Sequence, residues 1–243
     1  MARIEQSQES TANPTAEATN PIGHRRMGKA VVVATGALLL SACLPKPTEW
    51  QGPGDTERVA VAGDSQIYMA EHGTGDLINL PLAMLSSRIT ESGYQTSTSN
   101  MIGATTKDLN TLEPWPEPGP DITVTALGVN DMHIDPNTGR RVVSLAAAKA
   151  NLSQYLDRVD ADCDVLVTIP ETSPWGLDKS APAWNRFVAH KAVAENGVLI
   201  PWHTAVKDHP EYLTFDGVHA TFEGQDAYRT LIVQAIDNCA GRS

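Results

Sequence analysis

Val59-Ala60-Val61-Ala62-Gly63-Asp64-Ser65-Gln66 is a short apolar run that stops on a glycine and passes at once into polar residues. Such a run, bounded by a turn residue, reads as a buried strand. The glycine permits a tight turn that presents Ser65 at the carboxyl edge of a sheet. Outward from this stretch the pattern repeats. Ile67 to Ser92 is mostly helical with a break at Gly73-Thr74-Gly75, and Tyr94 to Ser99 can form a second strand. The stiff loop Pro114-Trp115-Pro116-Glu117-Pro118-Gly119-Pro120 precedes a third strand, Asp121 to Leu127. Leu145, Leu152, Leu156 and Val159 mark one helical face before a fourth strand, Val165 to Ile169. Trp184, Phe187, Val188 and Lys191 continue the helical spacing ahead of a fifth, Val198 to Ile200. Tyr228, Leu231, Ile232, Ala235, Ile236 and Cys239 line a final helix. Strand and helix alternating five times predict one α/β domain over residues 56–241, a three-layer α/β/α arrangement around a five-stranded parallel sheet of flavodoxin-like type.

Composition narrows the function. Hydrophobic residues make up 41% of the 243 residues and charged residues 19%, which is globular rather than disordered or collagen-like. A net charge of −11 opposes the basic surface that nucleic-acid binding needs, so DNA and RNA are excluded as partners.

The N-terminal part reads as an address. Residues 1–23 are rich in Ser, Thr, Ala, Glu and Gln and have only Ile4 and Ile22 as large aliphatics, too little apolar surface to offset ordering. His24-Arg25-Arg26-Met27-Gly28-Lys29 is a basic cluster, and Ala30 to Leu40 is uncharged and mostly apolar, a signal-peptide profile. As a helix those residues rise about 17 Å, short of the roughly 30 Å hydrocarbon core, which disfavours a transmembrane span. The run ends in Leu40-Ser41-Ala42-Cys43, which resembles a bacterial lipobox with Cys43 as the lipidated residue. Residues 1–42 are thus expected to be leader and lipoprotein signal peptide, and residues 43–55, rich in Pro and Gly, a tether. Arg25-Arg26 suits twin-arginine export, but Gly28 replaces the large apolar residue of that motif, so the general and twin-arginine routes stay open. Met27 is an alternative start.

Cleavage before Cys43 removes Arg3, Arg25, Arg26 and Lys29 with Glu5, Glu9 and Glu17, leaving 14 basic and 26 acidic side chains, net −12. So acidic a body is not drawn to anionic headgroups, and membrane attachment would rest on the acyl chains. With Cys43 assigned to lipid, Cys163 and Cys239 remain as an even pair in an oxidising compartment, and a disulfide between them is expected. Helices of such a fold run back against the strands. The end of the last helix and the start of the fourth strand therefore share the edge of the sheet away from Ser65.

Polar and glycine residues collect at the opposite edge. Gly63-Asp64-Ser65-Gln66 follows the first strand, Asn100-Met101-Ile102-Gly103-Ala104 the second, Gly128-Val129-Asn130-Asp131 the third, and Asp216-Gly217-Val218-His219 lies beyond the fifth. These four blocks, in this order, resemble the SGNH hydrolase superfamily, the GDSL esterases and lipases, over roughly residues 56 to 241. The resemblance implies a five-stranded parallel sheet between helices, with Ser65 as nucleophile, Gly103 and Asn130 in the oxyanion hole, and Asp216 and His219 as acid and base. Gln66 stands where the family usually has leucine, a change that touches no catalytic atom but weakens assignment to a lipase subgroup.

The residue types suit acyl transfer on physical grounds. A serine hydroxyl needs a base, and neutral imidazole titrates in the right range. Asp216, three residues before His219, can hold its tautomer. The backbone amides of Ser65 and Gly103 and the side-chain amide of Asn130 can bind a developing oxyanion. Asp131 leaves the third strand beside that site, so orientation of the histidine is assigned to Asp216 alone. Asp131-Met132-His133-Ile134-Asp135 places possible metal ligands at alternate positions, but Asp135-Pro136-Asn137-Thr138-Gly139 reads better as a turn, and no metal site is assigned. His203 and His209 are read as structural or surface residues, and Trp115 and Trp175 as either packing or cleft residues.

The expectation is a monomeric, envelope-anchored serine esterase that acts on a lipid or acylated-glycan ester and requires no cofactor. Two alternatives remain. An O-acyltransferase would use the same triad, and a catalytically silent lipoprotein would only bind glycan or lipid.

Overall fold

The computed structural model describes residues 49–73 and 84–241. The expected leader, signal segment and lipobox Cys43, residues 43–48 of the tether, and the stretch from Thr74 to Ala83 lie outside the described residues.

The strands are β1 (Arg58–Gly63), β2 (Gln95–Asn100), β3 (Ile122–Ala126), β4 (Cys163–Val167) and β5 (Val198–Ile200). They form one sheet in the order β2-β1-β3-β4-β5, every neighbouring pair parallel. Interleaved in the chain are α1 (Ser65–His72), α2 (Leu85–Glu91), α3 (Leu109–Leu112), α4 (Val129–Met132), α5 (Leu145–Val159), α6 (Leu177–Ala194), α7 (Trp202–Asp208) and α8 (Phe222–Cys239). The chain thus has the three-layer α/β/α fold anticipated from the alternation.

Two apolar layers hold it together. Val59, Val61, Val124, Val165 and Val167 pack with residues of α1, α2, α7 and α8 on one face of the sheet. Ala62 and Leu166 pack with α3 to α6 on the other, where Leu152, Trp184 and Val188 are buried. β1, β3 and β4 are therefore covered on both sides, which is why they read as near-continuous apolar runs.

Several boundaries differ from the sequence reading. β4 starts at Cys163, because Ile122↔Cys163 and Thr123↔Asp164 pair in register. It stops at Val167, and two residues on the Asn185 side chain takes over the backbone: Ile169 N–H donates to Asn185 Oδ1 (2.9 Å) and Asn185 Nδ2 donates to the Ile169 carbonyl (2.9 Å). β2 begins after Tyr94, whose amide donates to the Ile89 carbonyl at the end of α2 and whose hydroxyl donates to Asp237 on α8 (2.7 Å). α3, α4 and α7 were missed, being too short to show a helical period.

At the sheet edge remote from Ser65, Cys163 and Cys239 are disulfide-bonded with Cα atoms 5.8 Å apart. Nearby, Arg58 Nε donates to Asp121 Oδ2 (2.9 Å), joining the starts of β1 and β3. Among the described residues, no helix is long and apolar enough to cross a membrane.

Candidate active site

The carboxyl ends of β1, β2 and β3 and the loop before α8 converge. Asp64 caps α1, its Oδ1 accepting the Gln66 amide (2.9 Å), so Ser65 is the first residue of the helix and its N–H is one of the amides a helix leaves free at its start. Ser65 Oγ lies 3.0 Å from His219 Nε2, and His219 Nδ1 lies 2.6 Å from Asp216 Oδ2. The three side chains form one hydrogen-bonded chain across 154 residues of sequence.

Local bonds make the Asp216–His219 loop rigid. Asp216 Oδ1 accepts from the amides of Val218 and His219 (2.9 Å each) and from the Thr214 hydroxyl (2.8 Å). Burial pushes the Asp216 carboxyl up. The His219 ring, those two amides and the Thr214 hydroxyl outweigh burial and bring it down to about 2. The carboxylate thus stays ionised beside the imidazole. From outside the loop, Thr172 Oγ1 donates to the Gly217 carbonyl (2.7 Å) and Gln66 Nε2 to the Val218 carbonyl (2.6 Å). Gln66 therefore has a positioning contact that the sequence reading did not assign: it ties the helix bearing Ser65 to the loop bearing His219.

Gly103, on the turn after β2, has φ +80°, and a Cβ built there meets nothing within 4 Å, so its backbone borders open space. Asn130 lies on α4, entered through Gly128 at φ +123°. A side chain at 128 is doubly refused, since its Cβ would fall 2.2 Å from Trp184 Nε1. Asn130 Nδ2 donates to the Ala104 carbonyl (2.9 Å) and makes a longer contact with Asp64 Oδ2 (3.4 Å). Both partners are acceptors, which fixes which end of the amide faces inward.

Asp131 points elsewhere. It is fully buried and accepts from the Thr106 amide (3.0 Å to Oδ2) and hydroxyl (2.6 Å to Oδ1), with its carboxyl pushed up by burial. It binds the turn after Gly103 to α4, not the histidine. Asp135 Oδ1 accepts the amides of Asn137 (2.7 Å) and Thr138 (3.2 Å), forming a turn. Among the described residues no group of three or more His, Cys, Asp or Glu could hold a metal ion.

The aromatic residues divide. Trp175 is edge-on to His219, ring centroids 6.2 Å apart, with His133 packed on it at 4.7 Å, whereas Trp115 packs against the α5–α6 side of the core. His203 Nδ1 pairs with Thr168 Oγ1 (2.9 Å) and His209 with Glu211 (3.0 Å). Ile102 and Phe215, neighbours of Gly103 and Asp216, are exposed. The contacts of Gln66, Thr106 and Thr172 escaped sequence reasoning, because nothing in a sequence marks a polar residue whose partner is remote.

No family model matches the chain. A stretch of 42 residues, 17% of the chain, is 48% identical to the Bacillus subtilis protein YrhL, named as a peptidoglycan O-acetyltransferase; the match spans 7% of YrhL's length. Among solved structures, the chain resembles the lipase/acylhydrolase from Enterococcus faecalis at 22% identity and TM-score 0.60, covering 75% of this chain and 96% of that one. It also resembles Axe2, an acetylxylan esterase from Geobacillus stearothermophilus, at 19% identity and TM-score 0.58, covering 78% and 95% of the two chains. The fold is that of the SGNH- and GDSL-type lipase and esterase structures.

Proposed function

We propose that the protein is an SGNH-type serine esterase acting on a carboxylic ester at the cell envelope. The observation that carries this reading is the continuous Ser65–His219–Asp216 chain, with Asn130 bonded both to Asp64, which precedes the serine, and to Ala104, which follows Gly103. His219 Nε2 accepts the Ser65 proton as Oγ attacks the ester carbonyl. The oxyanion forms against the amides of Ser65 and Gly103 and the Asn130 side chain. Collapse of the intermediate transfers the proton from His219 to the leaving alkoxide and leaves an acyl-enzyme. Water, deprotonated by His219, then releases the acid and restores Ser65.

A specific observation favours a second reading: the YrhL segment is named for acetyl transfer. A sugar hydroxyl in place of water would turn the same acyl-enzyme to O-acyl transfer.

The deciding experiment is labelling with a serine-reactive fluorophosphonate, followed by turnover of acetyl to long-chain esters with and without sugar acceptors. Labelling of the wild type but not of Ser65→Ala is expected, and a wild type that resists labelling overturns the hydrolase and transferase readings together. Release of acid without acceptor supports the esterase; acylated sugar formed at the expense of acid supports the transferase. The envelope location rests on Cys43 as lipid acceptor: Cys43→Ala should leave the detergent phase, and unchanged partitioning overturns the anchor.

A further inference from the structure

Asp64 is a buried carboxyl that the mechanism above does not use. It is 1% exposed and lies between the amide of Gln66 on one oxygen and the Asn130 amide on the other. Behind it is a small cavity of about 10 Å³, also lined by Ala126, Val167, Trp202 and Tyr228. None of these neighbours carries a positive charge.

Helix capping alone does not explain the choice of residue. Serine, threonine or asparagine would cap α1 equally well without placing a carboxyl where water cannot reach it. What only a carboxylate does here is accept twice, once from the helix that carries the nucleophile and once from the side chain that faces the oxyanion. The Asn130 amide is thereby fixed by two acceptors, Ala104 O at 2.9 Å and Asp64 Oδ2 at 3.4 Å. The second contact is long, so that hydrogen is held loosely. It stays oriented while the site is empty and can be shared with the oxyanion in a three-centre bond, so that the contact with Asp64 persists as charge develops.

We propose that Asp64 is a positioning residue for the oxyanion site, holding the side-chain amide of Asn130 in register with the start of the nucleophile's helix. This deepens the reading of Ser65 and Asn130 given above and rests on it. Burial pushes the Asp64 carboxyl up to about 7, opposed by the Gln66 amide and by attraction to His219 and reinforced by repulsion from Asp131. The Tyr228 phenol, itself pushed up by burial, faces Asp64 as a neutral group. Protonated, Asp64 offers Asn130 a weaker acceptor. Alignment is therefore tighter above neutrality than below it.

The test is a double-mutant cycle in the intact protein with a soluble acetyl ester. Asp64→Asn keeps a helix cap but turns an N–H toward Asn130 Nδ2, setting donor against donor. It should lower kcat by about 10- to 100-fold with KM within about threefold, and flatten the acidic side of the kcat–pH profile. Asn130→Ala should cost about 10²–10³-fold, as loss of an oxyanion donor typically does. If Asp64 acts through Asn130, adding Asp64→Asn to Asn130→Ala should cost less than about threefold more. Should Asp64→Asn fold poorly, Asp64→Ser, which also caps, takes its place in the cycle. Multiplying losses, or an unchanged kcat in the single variant, overturns the positioning role while fluorophosphonate labelling of the wild type leaves the hydrolase reading standing. A wild type that is not labelled overturns both.

Discussion

Ser65 is 9% exposed, and its hydroxyl pairs with His219. Ser65→Ala should therefore abolish ester turnover, by about 10³-fold or more, and move the thermal midpoint by no more than about 2 °C; activity assay and calorimetry check the two halves. The neighbouring acids separate cleanly. Asp216→Asn should lower kcat by several orders of magnitude, or less if a backbone carbonyl takes over the imidazole N–H. Asp131→Asn should cost less in kcat but more in stability, about 1–3 kcal/mol, because its new N–H faces the buried Thr106 donors. The opposite ranking of kcat under identical ester and pH conditions overturns the assignment of the triad acid. Two carboxyls also give opposite pH signs. Asp216, held near 2 against an ordinary 3.8, adds stability that is complete above about pH 4 and is lost as pH falls toward 2. Asp64, raised to about 7, keeps its proton when folded while the unfolded chain loses it near 3.8, so its contribution declines as pH rises between those values. Chemical denaturation of Asp64→Ser across pH 4 to 7 should show a flatter profile than the wild type; an identical slope counts against the shift.

Among the elements, the site depends on how short helices leave the strands. α4 is one turn long, yet it decides where Asn130 and Asp131 point, and its approach through Gly128 admits no side chain. Gly128→Ala should destabilise by about 2–4 kcal/mol, combining overpacking against Trp184 with backbone strain, and lower the thermal midpoint by about 10 °C. A midpoint within about 2 °C of the wild type speaks against that packing. The Gln66 contact couples α1 to the loop before α8. Gln66→Leu, the residue usual in the family the sequence resembles, should fold and label but lose about three- to tenfold in kcat through loosened His219 placement. The existence of β1, β3, α5 and α8 was legible because each sustains its period over several residues. The ends of β4 were not, since they depend on Asn185 and on the β3 register.

For the whole molecule, the Cys163–Cys239 bridge joins β4 to the end of α8 at the edge away from Ser65. Its residues are 76 apart, so the chain-entropy model bounds its contribution at about 4–5 kcal/mol. Cys239→Ser should lower the thermal midpoint substantially while kcat at 25 °C stays within about twofold; a large loss of kcat would mean that the two edges are coupled. The sequence by itself determined the α/β/α class, the five strands and the four polar blocks at their ends. Those follow from local periodicity and from the turn chemistry of glycine, which act within a few residues. It also determined the Asp216–His219 pairing, because a three-residue step holds both on one loop. Only the tertiary structure decided that Asp131 serves Thr106 rather than His219, that Gln66 fastens the catalytic loop, and that Asp64 lies buried against Asn130. Each of those contacts joins residues at least 25 apart, and the sheet's register and the packing of two helical layers bring them together.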